Sequence, residues 1–189
     1  TIPAMTMLWQ PSEEHLRDLP LTRFAQQVEA ATGHCFEDYA ALHAWSVEEA
    51  EDFWRAAWSF LELQGEPGDT VIDDLHQMPG ASWFPEGRVS FAGTILREAD
   101  DRPAIRARGE HQAQWRTISR RELHEMVGAA AEAMRQAGVV EGDRVVGYLP
   151  NIPETIVAML AASTLGAIWS SCSPDFGVRG VLDRFERLE

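Results

Sequence analysis

Residues 138–184 read GVVEGDRVVGYLPNIPETIVAMLAASTLGAIWSSCSPDFGVRGVLDR, and this stretch decides the fold class. Asp143–Leu149 is a short apolar run rich in β-branched residues, bounded by Gly142 and Pro150. Asn151 reads as a helix cap, with Pro153 and Glu154 in the first turn behind it. The helix carries Ile156, Val157, Met159, Leu160 and Ala161 with almost no charge, so burial on most sides is expected before it stops near Gly166. Ala167–Cys172 then reads as a second buried strand, and Ser173–Gly177 as the turn into another helix. Strand–helix–strand alternation with few charges inside the strands argues for a parallel sheet of the doubly wound type.

Upstream of this unit the pattern is mostly helical. Residues 1–20 hold Pro3, Pro11 and Pro20 and read as an extended arm, with Trp9 as its anchor on a larger surface. From Thr22, the residues Phe24, Val28 and Ala31 share one helical face, and Gly33 ends the run. Phe36, Tyr39 and Leu42 suggest a short second helix. Ser46-Val-Glu-Glu49 has the form of a capping box opening a third, whose Phe53, Trp54, Ala57, Trp58, Phe60 and Leu61 make an aromatic face. Such a stripe is more often core than ligand site. Residues 65–93 are irregular, and a loop of that length must pack on something or be disordered; Trp83 and Phe84 favour packing. Thr94–Ala99 reads as a helix, Pro103–Arg108 and Gln114–Ile118 as a hairpin. Ser119-Arg-Arg-Glu122 is a second capping box, opening a helix that Gly138 stops.

Composition removes several function classes. The formal charge of −14 opposes a nucleic-acid surface, because an acidic face repels phosphate. All sixteen basic residues are arginine. With no lysine, the chain supplies no Schiff base and no P-loop cation. Cys35 and Cys172 are far apart and suggest neither a disulfide framework nor a metal site. No stretch has the form of a signal peptide or membrane span, which leaves the cytoplasm as the default location. The sheet stops after two parallel strands and a hairpin, with apolar Val181, Leu182 and Phe185 on the last helix. The sequence therefore suggests a domain continued by further residues, or one completed by another chain.

Residue types alone identify little chemistry. The six histidines form no metal-binding pair, and there is no Gly-x-Ser-x-Gly elbow, Walker loop or Gly-x-Gly-x-x-Gly. Asp73-Asp74 and Asp100-Asp101 read as turn carboxylates, and Cys172 as a buried inert thiol. The one functional candidate is Trp169-Ser-Ser-Cys-Ser-Pro-Asp175, at the carboxyl end of a parallel strand, where open α/β sheets bind ligands. Ser170, Ser171 and Ser173 offer hydroxyls and Trp169 a flat face. The competing reading is a strand end followed by an ordinary Pro-Asp turn.

The same residues carry a resemblance. Leu165–Gly177 with Val181–Phe185, and Gly142–Thr155 upstream, resemble the amino-terminal part of acyl-CoA synthetases of the adenylate-forming superfamily, and within it the acetoacetyl-CoA synthetase family. Trp83-Phe-Pro, Phe91-Ala92 and the segment Ser46–Leu61 resemble the amino-terminal extension of that family. The resemblance implies an α/β protein: a mostly helical extension followed by the start of an incomplete acyl-CoA synthetase-like domain. It divides the chain into an arm and helix (1–33), the extension (34–95) and the beginning of the AMP-binding domain (96–189).

What the resemblance implies for function is an ATP-dependent acetoacetate–CoA ligation. Acetoacetate attacks the α-phosphate of Mg-ATP to give an acyl-adenylate and pyrophosphate, and the CoA thiol then displaces AMP. The family's phosphate loop, adenine-binding strand, ribose-binding aspartate and catalytic lysine all lie downstream of the matched region. These residues alone are therefore expected to be inactive and to bind ATP, Mg2+ and CoA at most weakly. In acetyl-CoA synthetases a Phe-Gly-Gly segment before Ser-Pro borders the adenine of CoA. Aligned on Ser173-Pro174, it falls on Trp169, Ser170 and Ser171, with serines adding bulk where that family has bare backbone. The alternatives are a ligase for another short-chain acyl substrate, or a non-catalytic assembly module that self-associates through its unfinished sheet. Neither nucleic acid nor membrane is expected as a partner.

Overall fold

The computed structural model describes residues 9–188. Their helices are α1 (Glu13–Asp18), α2 (Pro20–Thr32), α3 (Tyr39–Glu48), α4 (Ala50–Phe60), α5 (Phe91–Ile95), α6 (Arg120–Gln136), α7 (Pro153–Thr164) and α8 (Val178–Phe185). The strands are β1 (Gly65–Glu66), β2 (Ile72–Asp73), β3 (Ser82–Trp83), β4 (Arg88–Val89), β5 (Pro103–Ala107), β6 (Arg116–Ser119), β7 (Arg144–Tyr148) and β8 (Ile168–Cys172). The chain divides into two compact units, one of residues 1–63 with 67–87 and one of 64–66 with 88–189.

The first unit is held by aromatic packing of α2, α3 and α4. Phe24 and Val28 meet Leu42, Trp45 and Ala57 in its buried core, with Phe36, Phe53 and Phe60 around them. The Phe24 ring stands edge-on to Phe53 at 5.6 Å and to Phe60 at 5.3 Å, the geometry that ring quadrupoles favour. The aromatic face of α4 is thus mainly core, as its spacing suggests. Gly33 ends α2 in the left-handed conformation (φ 79°), which a glycine adopts without steric cost. The irregular passage after α4 does pack: Trp83 lies 5.3 Å from Trp54, and Phe84 lies 4.9 Å from Trp58. The two-residue strands β2 and β3 pair antiparallel, with Ile72 opposite Trp83.

Two expectations for this unit are corrected. Trp9 is 75% exposed and does not anchor the arm; the segment is organised locally by α1, whose cap Ser12 accepts the N–H of His15. Residues 1–8 of that arm lie outside the described residues. Ser46–Glu49 does not open a helix. Asp38 has already capped α3 by accepting the N–H of Ala41 at 2.9 Å, so Ser46 falls inside that helix and donates its hydroxyl to the His43 carbonyl at 2.7 Å. The break comes at Glu49, and α4 begins there without a side-chain cap.

In the second unit α6 and α7 pack face to face, with α5 and β6 closing the core. Ala92, Ile118, Leu123, Val127, Ala131, Val157, Leu160 and Ala161 form it. Ala161 and Ala162 are fully buried, and their small side chains allow neighbouring backbone to come close. The hairpin pairs β5 with β6 antiparallel, and Arg116 of β6 reaches Glu154 of α7 at 2.9 Å. The Ser119 box forms in full: Ser119 Oγ accepts the Glu122 N–H at 3.2 Å, and Glu122 Oε2 accepts the Ser119 N–H at 2.7 Å. That backbone hydrogen bond is the main cause holding the Glu122 carboxyl below its ordinary range. Ser119→Ala should therefore lower unfolding stability by about 1 kcal/mol, read in a urea titration. A midpoint unchanged from wild type would show that the box contributes nothing.

Just ahead of β5, the carboxylates of Asp100 and Asp101 shape the turn, as expected. Asp100 accepts the backbone N–H of Arg102 at 2.9 Å and its guanidinium at 2.8 Å, and Asp101 pairs with Arg121 at 3.0 Å. The Arg102 guanidinium is the chief cause that keeps the Asp100 carboxyl below its usual range. Solvent screening limits what such exposed pairs add to stability.

Strands β7 and β8 run parallel in the register Arg144↔Ile168 to Tyr148↔Cys172, joined through α7. This is the strand–helix–strand unit read in the sequence, with three corrections. The cap of α7 is Ile152, not Asn151: Pro153 at the first helical position forces the residue before it into extended backbone (φ −126°, ψ 160°). The fifth helix, read as Thr94–Ala99, runs instead from Phe91 to Ile95, because Ser90 caps it by accepting the Gly93 N–H at 2.9 Å. The strands are also less buried than their apolar composition suggests. Val146, Tyr148 and Ile168 are each about half exposed. One face of the pair has no layer across it among the described residues. Helix α8 has no buried residue either, as its apolar Val181, Leu182 and Phe185 led us to expect.

Candidate functional site

The carboxyl ends of β7 and β8 and the chain that follows them build the candidate site. Ser173 donates its hydroxyl to Asp175 Oδ2 at 2.7 Å and accepts the Asp175 N–H at 3.3 Å, so this pair fixes the turn after β8. Ser173 is thus engaged locally rather than offered to a ligand. Tyr148, at the end of β7, holds the same turn: its hydroxyl lies 2.9 Å from the Pro174 carbonyl and 3.0 Å from that of Phe176. Phe176 in turn carries the Arg184 guanidinium 4.2 Å above its ring. A cation over an aromatic face is attracted by the ring quadrupole, so this contact orients an otherwise mobile arginine.

These contacts enclose an open depression of about 570 Å3, lined by Ser170, Ser171, Phe176, Gly180, Asp183, Arg184 and Arg187. Two of the three site residues read from the sequence, Ser170 and Ser171, line it. The third does not. The indole of Trp169 lies over Gly147, where an added Cβ would stand 2.7 Å from Cη2 and 2.9 Å from Cζ2 of the ring. Gly147 is buried and pairs with Ser171, so the missing side chain on β7 is what admits the indole on β8. Gly147→Ala should then cost about 1–3 kcal/mol through overpacking, measured by chemical unfolding. Wild-type stability in that variant would mean the indole does not rest there.

Sequence reasoning missed the helical wall of the depression. Gly180, Asp183 and Arg184 lie on α8 and Arg187 in the turn just after it, and in the sequence the four recur at the three- and four-residue steps of one helix face. That periodicity is the signal in the sequence that marks them. The wall carries two cations and one anion, so the depression favours an anionic group beside the serine hydroxyls. Cys172, at the end of β8, is buried as expected.

A parallel strand–helix–strand unit with a depression at its carboxyl edge is the arrangement in which open α/β sheets bind ligands. Residues 94–188 match the family described as AMP-binding enzyme, and residues 39–92 match that described as acetyl-coenzyme A synthetase N-terminus. The chain belongs to the AMP-binding enzyme family. It is 42% identical to the acetoacetyl-coenzyme A synthetase of Rhizobium meliloti (strain 1021), covering 96% of this chain and 28% of that protein. It is 40% identical to the acetoacetyl-CoA synthetase of Macaca fascicularis, covering 97% of this chain and 27% of that protein. Among solved structures it matches acetoacetyl-CoA synthetase from Streptomyces lividans with a TM-score of 0.88 and 40% identity, over 98% of this chain and 29% of that one. The chain thus spans little more than a quarter of the length of these relatives. Among the described residues no helix is long and apolar enough to cross a membrane.

Proposed function

We propose that this chain forms the amino-terminal portion of an ATP-dependent acid–thiol ligase that joins acetoacetate to CoA through an acyl-adenylate. The observation that carries the reading is the likeness to acetoacetyl-CoA synthetases across nearly the whole chain, in sequence and in fold. In this reading residues 34–95 are the extension and residues 96–189 begin the AMP-binding domain, in a cytoplasmic enzyme that uses Mg-ATP. Stabilising charge on the transferring phosphoryl group is the larger part of such catalysis, and the resemblance puts the phosphate loop and catalytic lysine that supply it outside these residues. The contribution of these 189 residues is a scaffold and one wall of the CoA site.

Within that wall, Ser170 and Ser171 would border the adenine part of CoA, while Trp169 sets the spacing of β7 and β8 from behind. Trp169→Ala in the whole protein should raise the KM for CoA several-fold and leave the KM for ATP within about twofold, because the indole positions the strand that carries Ser170 and Ser171 and so acts on the substrate those two residues border. An equal rise in both would return Trp169 to a purely structural role. Offered acetoacetate, acetate and longer acids in competition, the whole protein should form the acetoacetyl thioester first. Preference for another acid would overturn the substrate assignment while leaving the ligase class intact.

A further inference from the structure

Tyr148 lies outside the set of residues that line the depression beside β8, yet it is tied to that wall. It forms the last register pair of the two parallel strands, opposite Cys172, so the ladder ends where the turn begins. The turn's own hydrogen bonds are local: Ser173 binds Asp175, and the Phe176 N–H donates to the Ser173 carbonyl at 3.1 Å. Among the described residues, the Tyr148 hydroxyl supplies the hydrogen bonds that hold this turn to the sheet. It stands 2.9 Å from the Pro174 carbonyl and 3.0 Å from that of Phe176. A phenol has one proton to donate, so the two carbonyls share it, and either bond fixes the same stretch. Tyr148 is 50% exposed, so its hydroxyl is not there to satisfy a buried core.

The turn sets the ring of Phe176, and the ring joins the turn to α8. An added Cβ at Gly180 would stand 3.5 Å from Phe176 Cδ1, and one helical turn further on the Arg184 guanidinium lies 4.2 Å over the same ring. No carboxylate pairs with Arg184 among the described residues, so its charge is left for a ligand. We propose that Tyr148 is a positioning residue: its hydroxyl fixes the turn, the turn presents Phe176, and Phe176 holds Arg184 in the wall that Ser170 and Ser171 share. The anion that Arg184 meets there is the phosphate-bearing part of CoA, and in that respect the inference rests on the ligase reading. The link from hydroxyl to guanidinium is a property of this chain alone. A phenylalanine at 148 would keep the ring on the strand and lose the tie.

The test is Tyr148→Phe, read in two ways. In the 189-residue chain, carbon–proton correlation NMR follows the Arg184 Cδ protons, which the Phe176 ring current shifts upfield. Phe176→Leu gives their position without the ring. Tyr148→Phe should move them at least halfway to that position, with the thermal midpoint within about 2 °C of wild type. In the whole protein the same change should raise the KM for CoA about fivefold at low salt, with kcat and the KM for ATP within about twofold. The rise should shrink at high ionic strength, where screening weakens an exposed cation–phosphate contact. Arg184→Gln should raise the KM for CoA by itself, and adding Tyr148→Phe to it should change nothing further, because residues acting through one contact are not additive. An unmoved Arg184 signal overturns the proposal. So does an unchanged KM for CoA, an equal rise in the KM for ATP, a large loss of stability, or a full effect of Tyr148→Phe in the Arg184→Gln background. A whole protein that forms no acyl-CoA defeats the ligase reading instead, and the Arg184 signal still decides whether Tyr148 sets the wall.

Discussion

Leu160→Ala is expected to lower unfolding stability by about 3–5 kcal/mol, one of the two largest effects in the molecule. Leu160 is 1% exposed and sits where α7 meets α6, with Val127 and Val157 beside it in the core. Removing its branched end takes apolar surface out of the core and leaves a cavity. The neighbours that would have to fill that cavity include Ala131 and Ala161, which have no longer side chain to extend. Incomplete collapse puts the cost toward the upper part of the range. In thermal unfolding this corresponds to a fall of roughly 10 °C or more. A midpoint within about 2 °C of wild type would mean that α6 and α7 do not form the centre of this unit.

Phe24→Ala should cost about 3–5 kcal/mol for a different reason. Its ring touches α4 at two points, Phe53 and Phe60, and both contacts are edge-on. Truncation therefore removes a buried ring together with two favourable aromatic pairs. Phe24→Leu restores most of the apolar volume but not the quadrupole geometry, and should recover about half of the loss. Full recovery by leucine, measured in the same denaturant series, would contradict the role assigned to ring geometry.

The parts of the fold that were legible in the sequence are those fixed by short-range patterns. The β7–α7–β8 unit shows itself because its strands are short apolar runs and its helix is nearly uncharged. The Ser119–Glu122 box forms as read because nothing upstream competes for the same backbone. Two of the misplaced helix starts share one cause. Asp38 and Ser90 each offer a cap earlier than the one selected, and the first competent cap nucleates the helix. At Asn151 the competing factor is Pro153, which restricts the residue before it more strongly than a capping side chain attracts. The exposure of Val146, Tyr148 and Ile168 was hidden for another reason, since an apolar strand records burial in a finished sheet wherever the covering layer comes from.

At the candidate site, Ser170 and Ser171 were legible because they lie on the strand end where open sheets gather ligands. The resemblance alone added Trp169 to a CoA wall, while the geometry turns its indole to Gly147. Ser173 could have been separated from its neighbours by the Asp two residues on, a spacing at which serine and aspartate close a local turn. Arg184 needs Phe176 to hold it, and that contact crosses from the turn to the helix. Single-strand reasoning does not reach it.

The central proposal is that these residues form the scaffold of an acetoacetate–CoA ligase whose chemistry is supplied by further residues. The direct test measures acetoacetate-dependent AMP and CoA-thioester formation by the 189-residue chain and by the same chain extended to the full length of its relatives, with equal Mg-ATP and CoA. Turnover by the extended chain alone is the expected result. Turnover by the 189 residues alone, or none by the extended chain under any acyl substrate, would contradict the account.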